Sequence, residues 1–146
     1  MNTATEVLLV DDNPGDAELT ADLLRRNDRP LHIHSVSDGV EAMAFLRRKG
    51  TYCDRPRPHL IMLDLNMPRK DGWAVLVEVK SDSVLKKIPV VVFSTSRARA
   101  DVARCHELGA NSYVSKPGDL EGFTSTVAAI GDYWFGVASL ERREEP

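Results

Sequence analysis

Five short apolar runs punctuate the chain at roughly 6–11, 31–36, 59–64, 89–94 and 111–115, and a longer segment of mixed polarity follows each one. Runs of this length, rich in Val, Leu and Ile and bounded by Asp, Gly and Pro, predict buried strands. The intervening segments carry helix boundaries. Asn13-Pro14 opens the first, because Asn caps and proline needs no donor in a first turn, and Asp28-Arg29-Pro30 closes it. Ser37-Asp38-Gly39 starts the second and Lys49-Gly50 ends it, Asp71-Gly72 starts the third, and Lys87-Ile88-Pro89 leads into the fourth strand. In the last segment Leu120, Phe123, Val127, Ile130 and Trp134 recur at steps of three and four, an apolar stripe that should pack on a sheet. Tyr133, Phe135 and Val137 fall off that stripe and are expected to face outward.

Five strand–helix units in succession imply an α/β fold with a parallel sheet. Right-handed crossovers leave few arrangements, and the doubly wound, flavodoxin-like (βα)5 order 2-1-3-4-5 is the expected one. In that order the first and third strands flank the point where the winding reverses, and open α/β sheets bind ligands there. The chain has 146 residues, the size of one domain: a core over about 6–130 and a C-terminal extension and tail over 131–146.

The strand ends carry the chemistry. Val7-Leu8-Leu9-Val10 runs into Asp11-Asp12, His59-Leu60-Ile61-Met62-Leu63 into Asp64, Val90-Val91-Val92-Phe93 into Ser94, and Asn111-Ser112-Tyr113-Val114-Ser115 into Lys116-Pro117. Parallel neighbouring strands would gather three carboxylates, a hydroxyl and an ammonium at one edge. Three carboxylates in a partly desolvated crevice repel one another and either protonate or recruit a cation. Mg²⁺, which prefers oxygen ligands and retains waters, suits such a set and leaves room for a phosphoryl oxygen. Capping of the first helix accounts for one of the paired acids, not both.

Composition narrows the alternatives. A formal charge of −3 argues against broad nucleic-acid binding, and the basic runs Arg25-Arg26 and Arg47-Arg48-Lys49 fall at helix ends, where cations complement the dipole. No apolar stretch approaches the ~20 residues of a membrane span, and residues 1–5 have no signal-peptide character, so a cytoplasmic protein is expected. Cys53 and Cys105 are too few and too far apart for a zinc motif. His32 and His34 share one face of a strand, but no third ligand is visible in the sequence, and solvated histidines are the simpler expectation. Neither a Walker A loop nor GxGxxG is present.

Ser94 lies 30 residues and Lys116 52 residues after Asp64, and with Asp11-Asp12 these ordered positions resemble the receiver domain of two-component response regulators from about Glu6 to Ile130. The resemblance implies a signalling protein and not an enzyme in the ordinary sense: Asp64 accepts a phosphoryl group from a phosphohistidine of a sensor histidine kinase, and the receiver assists its own dephosphorylation. It further implies that Asp12 and Asp64 ligate Mg²⁺ directly, Asp11 does so through water, and the backbone carbonyl of Asn66 completes the protein contacts. Lys116 is then the second cationic contact, aimed by a cis peptide before Pro117. Ser94 turns to the phosphoryl group, Tyr113 follows as the switch aromatic, and Asn66 and Ser96 control access of hydrolytic water. The run Asp11 to Thr20, the loop Leu63 to Gly72 and the late Tyr133-Trp134-Phe135-Gly136 are similar to small stand-alone receivers paired with bacterial and cyanobacterial phytochrome kinases. Such relatives imply a homodimer through the fourth helix, fifth strand and fifth helix or through the C-terminal extension, with Tyr133, Phe135 and Val137 as contacts. A phosphoaspartate-type hydrolase would need a second acid where Asn66 stands, and an unphosphorylated pseudo-receiver would be expected to lack an acid or the lysine.

Overall fold

The computed structural model describes residues 4–26 and 29–140; Asp28, expected to help close the first helix, and the tail 141–146 lie outside them. Five parallel strands form one sheet in the order β2-β1-β3-β4-β5, with β1 at Thr5–Val10, β2 at Leu31–Val36, β3 at Leu60–Leu63, β4 at Val90–Ser94 and β5 at Ser112–Ser115. The helices are α1 Pro14–Leu24, α2 Gly39–Leu46, α3 Gly72–Ser81, α4 Arg99–Glu107 and α5 Leu120–Asp132. Strand alternation sends side chains to two layers. Leu8, Val10, Ile61, Leu63, Val90 and Val92 pack with α2 and α3, while Leu9, Leu60, Met62, Val91 and Phe93 pack with α1 and α5. Both faces of the three inner strands are thereby covered, which explains their unbroken apolar runs.

Four helices start on the side-chain caps that the local sequence offers. Asn13, Asp38, Asp71 and Asp119 each accept a backbone N–H from the first turn that follows. Gly72 is required where α3 leaves the sheet, because a Cβ there would lie 2.1 Å from the carbonyl oxygen of Asp64. Gly39 meets the same limit, with its Cβ position 2.2 Å from the carbonyl oxygen of Lys70.

The C-terminal segment departs from the expected stripe in two ways. Leu120, the first residue after the Asp119 cap, is 68% exposed and stays outside the layer in which Phe123, Val127 and Ile130 pack. After Asp132 the backbone widens into a π-helical turn, Tyr133–Val137, closed by the N–H of Ala138 donating to the Tyr133 carbonyl. The wider turn breaks the 3.6-residue register. Phe135 therefore packs, half-buried, with Trp134 on the α1/α5 layer instead of facing outward, while Tyr133 and Val137 remain exposed as expected.

Candidate functional site

The ends of β1, β3 and β5 converge because each is fixed to its neighbour by backbone hydrogen bonds. The N–H of Asp11 donates to the Val36 carbonyl, that of Asp64 to the Val10 carbonyl, and that of Lys116 to the Ser94 carbonyl. One carboxylate oxygen from each of Asp11, Asp12 and Asp64 lies within 4.8 Å of the others. Asp11 is buried, Asp64 half-buried and Asp12 exposed, so the cluster opens to solvent on one side. The buried ammonium of Lys116 donates to Asp11 Oδ2 at 2.7 Å, to Asp16 Oδ2 at 3.1 Å and to Asp64 Oδ2 at 3.3 Å. A trans Lys116–Pro117 peptide achieves this reach; the expected cis bond is absent.

Three carboxylates, Asp11, Asp16 and Asp64, thus share one ammonium, with the Asp12 carboxylate beside them. Burial pushes the Asp11 carboxyl above its ordinary value, the Lys116 hydrogen bond opposing and the Asp64 charge adding to it. Burial alone would lower the Lys116 value, but the hydrogen bond to Asp11 and the charges of Asp11 and Asp64 outweigh it and raise it. A cation entering beside Asp12 relieves the surplus negative charge. The donors are all oxygens, which fits a hard divalent ion.

The remaining expected residues divide. The Ser94 hydroxyl is buried at the end of β4 and makes no hydrogen bond of good geometry, although it lies near enough to the Tyr113 hydroxyl to interact with it. Tyr113 is half-buried against the α2/α3 layer and its hydroxyl donates to the Ser96 carbonyl at 2.8 Å, spanning from β5 to the loop after β4. Ser96 itself turns away from the acids: its hydroxyl donates to Asp101 Oδ2 at 2.6 Å in the first turn of α4. Asn66 is exposed two residues beyond Asp64. Tyr133, Phe135 and Val137 sit beyond the end of α5 and take no part in the acid cluster.

Two features had no signal in the sequence. Asp16 looked like an ordinary acid in a first helical turn, yet it is a third partner of Lys116. The loop after Asp64 is clasped to α2: Arg69, at φ 62°, donates through Nε and Nη2 to Asp38 Oδ2 at 2.9 and 2.6 Å, and the Gly39 N–H donates to the Lys70 carbonyl at 2.9 Å. Asp38 Oδ1 meanwhile caps α2 through the Glu41 N–H. Long-range pairs of this kind leave no periodic trace.

The family model for the response regulator receiver domain matches residues 7–128. Response regulator Rcp1 of Synechocystis sp. (strain ATCC 27184 / PCC 6803 / Kazusa) is 40% identical over 139 residues, 95% of each chain. Among solved structures, the phosphorylated cyanobacterial phytochrome response regulator RcpA superposes with a TM-score of 0.92 at 41% identity, covering 96% of this chain and 100% of that one. The Mn²⁺-bound form of Rcp1 gives 0.91 at 39% identity, covering 94% and 99%. By its sequence, its sheet order and the acid crevice at the strand ends, the chain belongs to the response regulator receiver domain family of two-component signalling.

Proposed function

We propose that Asp64 is the phosphoryl acceptor of a phytochrome-type sensor histidine kinase, that Mg²⁺ is the resident cation, and that the phosphorylated form acts by changing a protein-binding surface. The observation that carries this reading is the convergence of Lys116 Nζ on Asp11 and Asp64 beside the open carboxylate of Asp12. Asp12 and Asp64 would hold the ion directly, with Asp11 through water and the Asn66 carbonyl. When bound, the ion neutralises charge on the transferring oxygens. The phosphorylated state of RcpA and the Mn²⁺ in Rcp1 support the same assignment by similarity.

In the transfer, a carboxylate oxygen of Asp64 attacks phosphorus, the phosphorus–nitrogen bond of the donor histidine breaks, and its electron pair returns to the imidazole, which takes a proton from solvent. Lys116 keeps its proton and shifts its contact from carboxylate to the new phosphoryl oxygens. The Ser94 hydroxyl donates to that group, and its movement is read by Tyr113, which lies beside it and holds the loop that carries Ser96. Hydrolysis later returns Asp64 to the carboxylate. Asn66 flanks the acceptor and controls water access, and Ser96 does so only after leaving Asp101. The reading further assigns a cytoplasmic location, a homodimer and no nucleic-acid partner; among the described residues no helix is long and apolar enough to cross a membrane.

Acetyl phosphate with Mg²⁺, followed by intact mass, tests the acceptor. Wild type gains one phosphoryl group, and Asp64→Asn gains none while keeping its circular dichroism. Normal labelling of Asp64→Asn would remove Asp64 from the role. Phosphotransfer from phytochrome-type and unrelated kinases then tests the donor, with faster transfer expected from the former.

A further inference from the structure

At the opposite end of the strands from the acid crevice, β1 supplies the third ligand that the His32-x-His34 pattern lacked. His32 and His34 alternate along β2 and so project from one face. Glu6 pairs with His32 in the parallel register of β1 and β2. Its carboxylate is shared between the rings, with Oε2 at 2.8 Å from His32 Nδ1 and Oε1 at 2.8 Å from His34 Nε2. We propose that Glu6, His32 and His34 form a second metal site, selective for a borderline divalent ion of the zinc class and separate from the all-oxygen crevice at Asp64.

Three observations carry the assignment. First, the donor set is two imidazole nitrogens and one carboxylate, the combination that suits zinc-class ions with a position left for water, whereas Mg²⁺ prefers oxygen alone. Secondly, two of the three ligands are already held. The Glu6 N–H donates to His59 Nδ1 at 2.9 Å and its carbonyl accepts the His59 N–H at 2.7 Å, while the His34 ring lies 5.1 Å from the Phe45 ring on α2. Thirdly, the three donor atoms, with the rings on different carboxylate oxygens, do not yet lie within 4.8 Å of one another, and the member that must move to close them is the accessible one. The His32 side chain is 65% exposed, against 19% for His34 and 15% for Glu6, so His32 can swing in to close the site and an ion can reach it from solvent.

Binding exchanges the two nitrogen–carboxylate hydrogen bonds for metal bonds. Each neutral ring moves its proton to its other nitrogen, or releases it if the ring was charged, and the freed lone pair goes to the ion. Joined in this way, β1 and the edge strand β2 are stapled at their N-terminal half.

Co²⁺, as a spectroscopic stand-in for zinc, tests the site in a solution containing excess Mg²⁺. Wild type is expected to bind one Co²⁺ with the intense visible bands of four-coordination, and Asp64→Asn to bind it equally, which separates the site from the acid crevice. His32→Gln and Glu6→Gln should each weaken Co²⁺ binding by about tenfold or more. His32 is exposed, so its variant keeps the fold and carries the test even where Glu6→Gln does not; acetyl phosphate labelling of His32→Gln should match wild type. Absence of Co²⁺ binding in excess Mg²⁺, or bands that survive His32→Gln, would overturn the proposal.

Discussion

Lys116 is the residue on which the crevice depends before any ion is present. Its side chain is 3% exposed and is the one cation hydrogen-bonded to Asp11, Asp16 and Asp64 among the described residues. Removing one partner from a buried charge cluster leaves the others uncompensated, which typically costs ~3–5 kcal/mol. Lys116→Met is therefore expected to destabilise the metal-free protein by about 3 kcal/mol, and Mg²⁺ should restore much of that loss by supplying the missing positive charge. Urea unfolding with and without Mg²⁺ checks it, and equal losses in both conditions would contradict the electrostatic account. The two cysteines differ as sharply. Burial, with a smaller contribution from Asp101, pushes the Cys105 thiol to about 11, while Cys53 is exposed. At neutral pH a disulfide reagent should consume one thiol rapidly in the native protein and two after denaturation. The acids, Ser94, Lys116 and Tyr113 were legible in the sequence because each sits at or near a strand end. Asp16 was not, since an acid in a first helical turn has a sufficient explanation in the helix dipole.

At the level of elements, the starts of α1, α2 and α3 were legible from single residues, since a cap is a local device: Asn13, Asp38 and Asp71 all act within three positions. The π turn after α5 was not, because its closure by the Ala138 N–H onto the Tyr133 carbonyl reflects no distinctive residue type, and it turned Phe135 inward against the expected register. Nor was the clasp between Asp38 and Arg69, which joins the start of α2 to the loop leaving Asp64. It fixes the loop that follows Asp64 against α2, and it gives a pH signature. Burial alone would raise the Asp38 value, but the Glu41 N–H and the Arg69 guanidinium outweigh it and hold the carboxyl below 3.8. A depressed carboxyl contributes stability that is full above its unfolded value near 3.8 and is lost as pH falls through the lower folded value. Asp38→Asn keeps a capping side chain but loses the charge facing Arg69, itself 57% exposed, so the expected cost at neutral pH is only about 1 kcal/mol. Thermal melts of both proteins from neutral pH down to about pH 3 should show the gap closing below 3.8; a gap constant across that range would dismiss the ion pair.

For the whole molecule, the question is how a five-stranded sheet with two open edges meets other proteins. The strand order was legible because short apolar runs alternating with amphipathic segments admit few right-handed windings. How the edges are used depends on side chains brought together from distant parts of the chain. Edge β2 is occupied by the Glu6–His32–His34 cluster, polar and charged, which discourages strand addition. Edge β5 is different. It is partly exposed along all four residues, and beside it Val114, Ala129, Ile130, Tyr133 and Trp134 line a groove of about 780 Å³. Tyr133 and Val137, at 53% and 76% exposure, extend that apolar surface. Water-facing apolar area of this kind is covered most simply by a second copy in a two-fold contact, and Tyr113 on the same strand would couple it to Ser94. Because Phe135 packs inward, it is a poor probe of the contact, whereas Tyr133→Glu introduces a charge into the groove at a position that is 53% exposed and reaches the α1/α5 layer only through the edge of Trp134. Sedimentation at micromolar concentration should find wild type dimeric and Tyr133→Glu monomeric, both still accepting phosphate from acetyl phosphate. A phosphoryl mimic can shift the wild-type equilibrium only by the difference in its affinity for the two assemblies. Wild-type protein that sediments as a monomer with and without the mimic would assign the β5 face to a different partner.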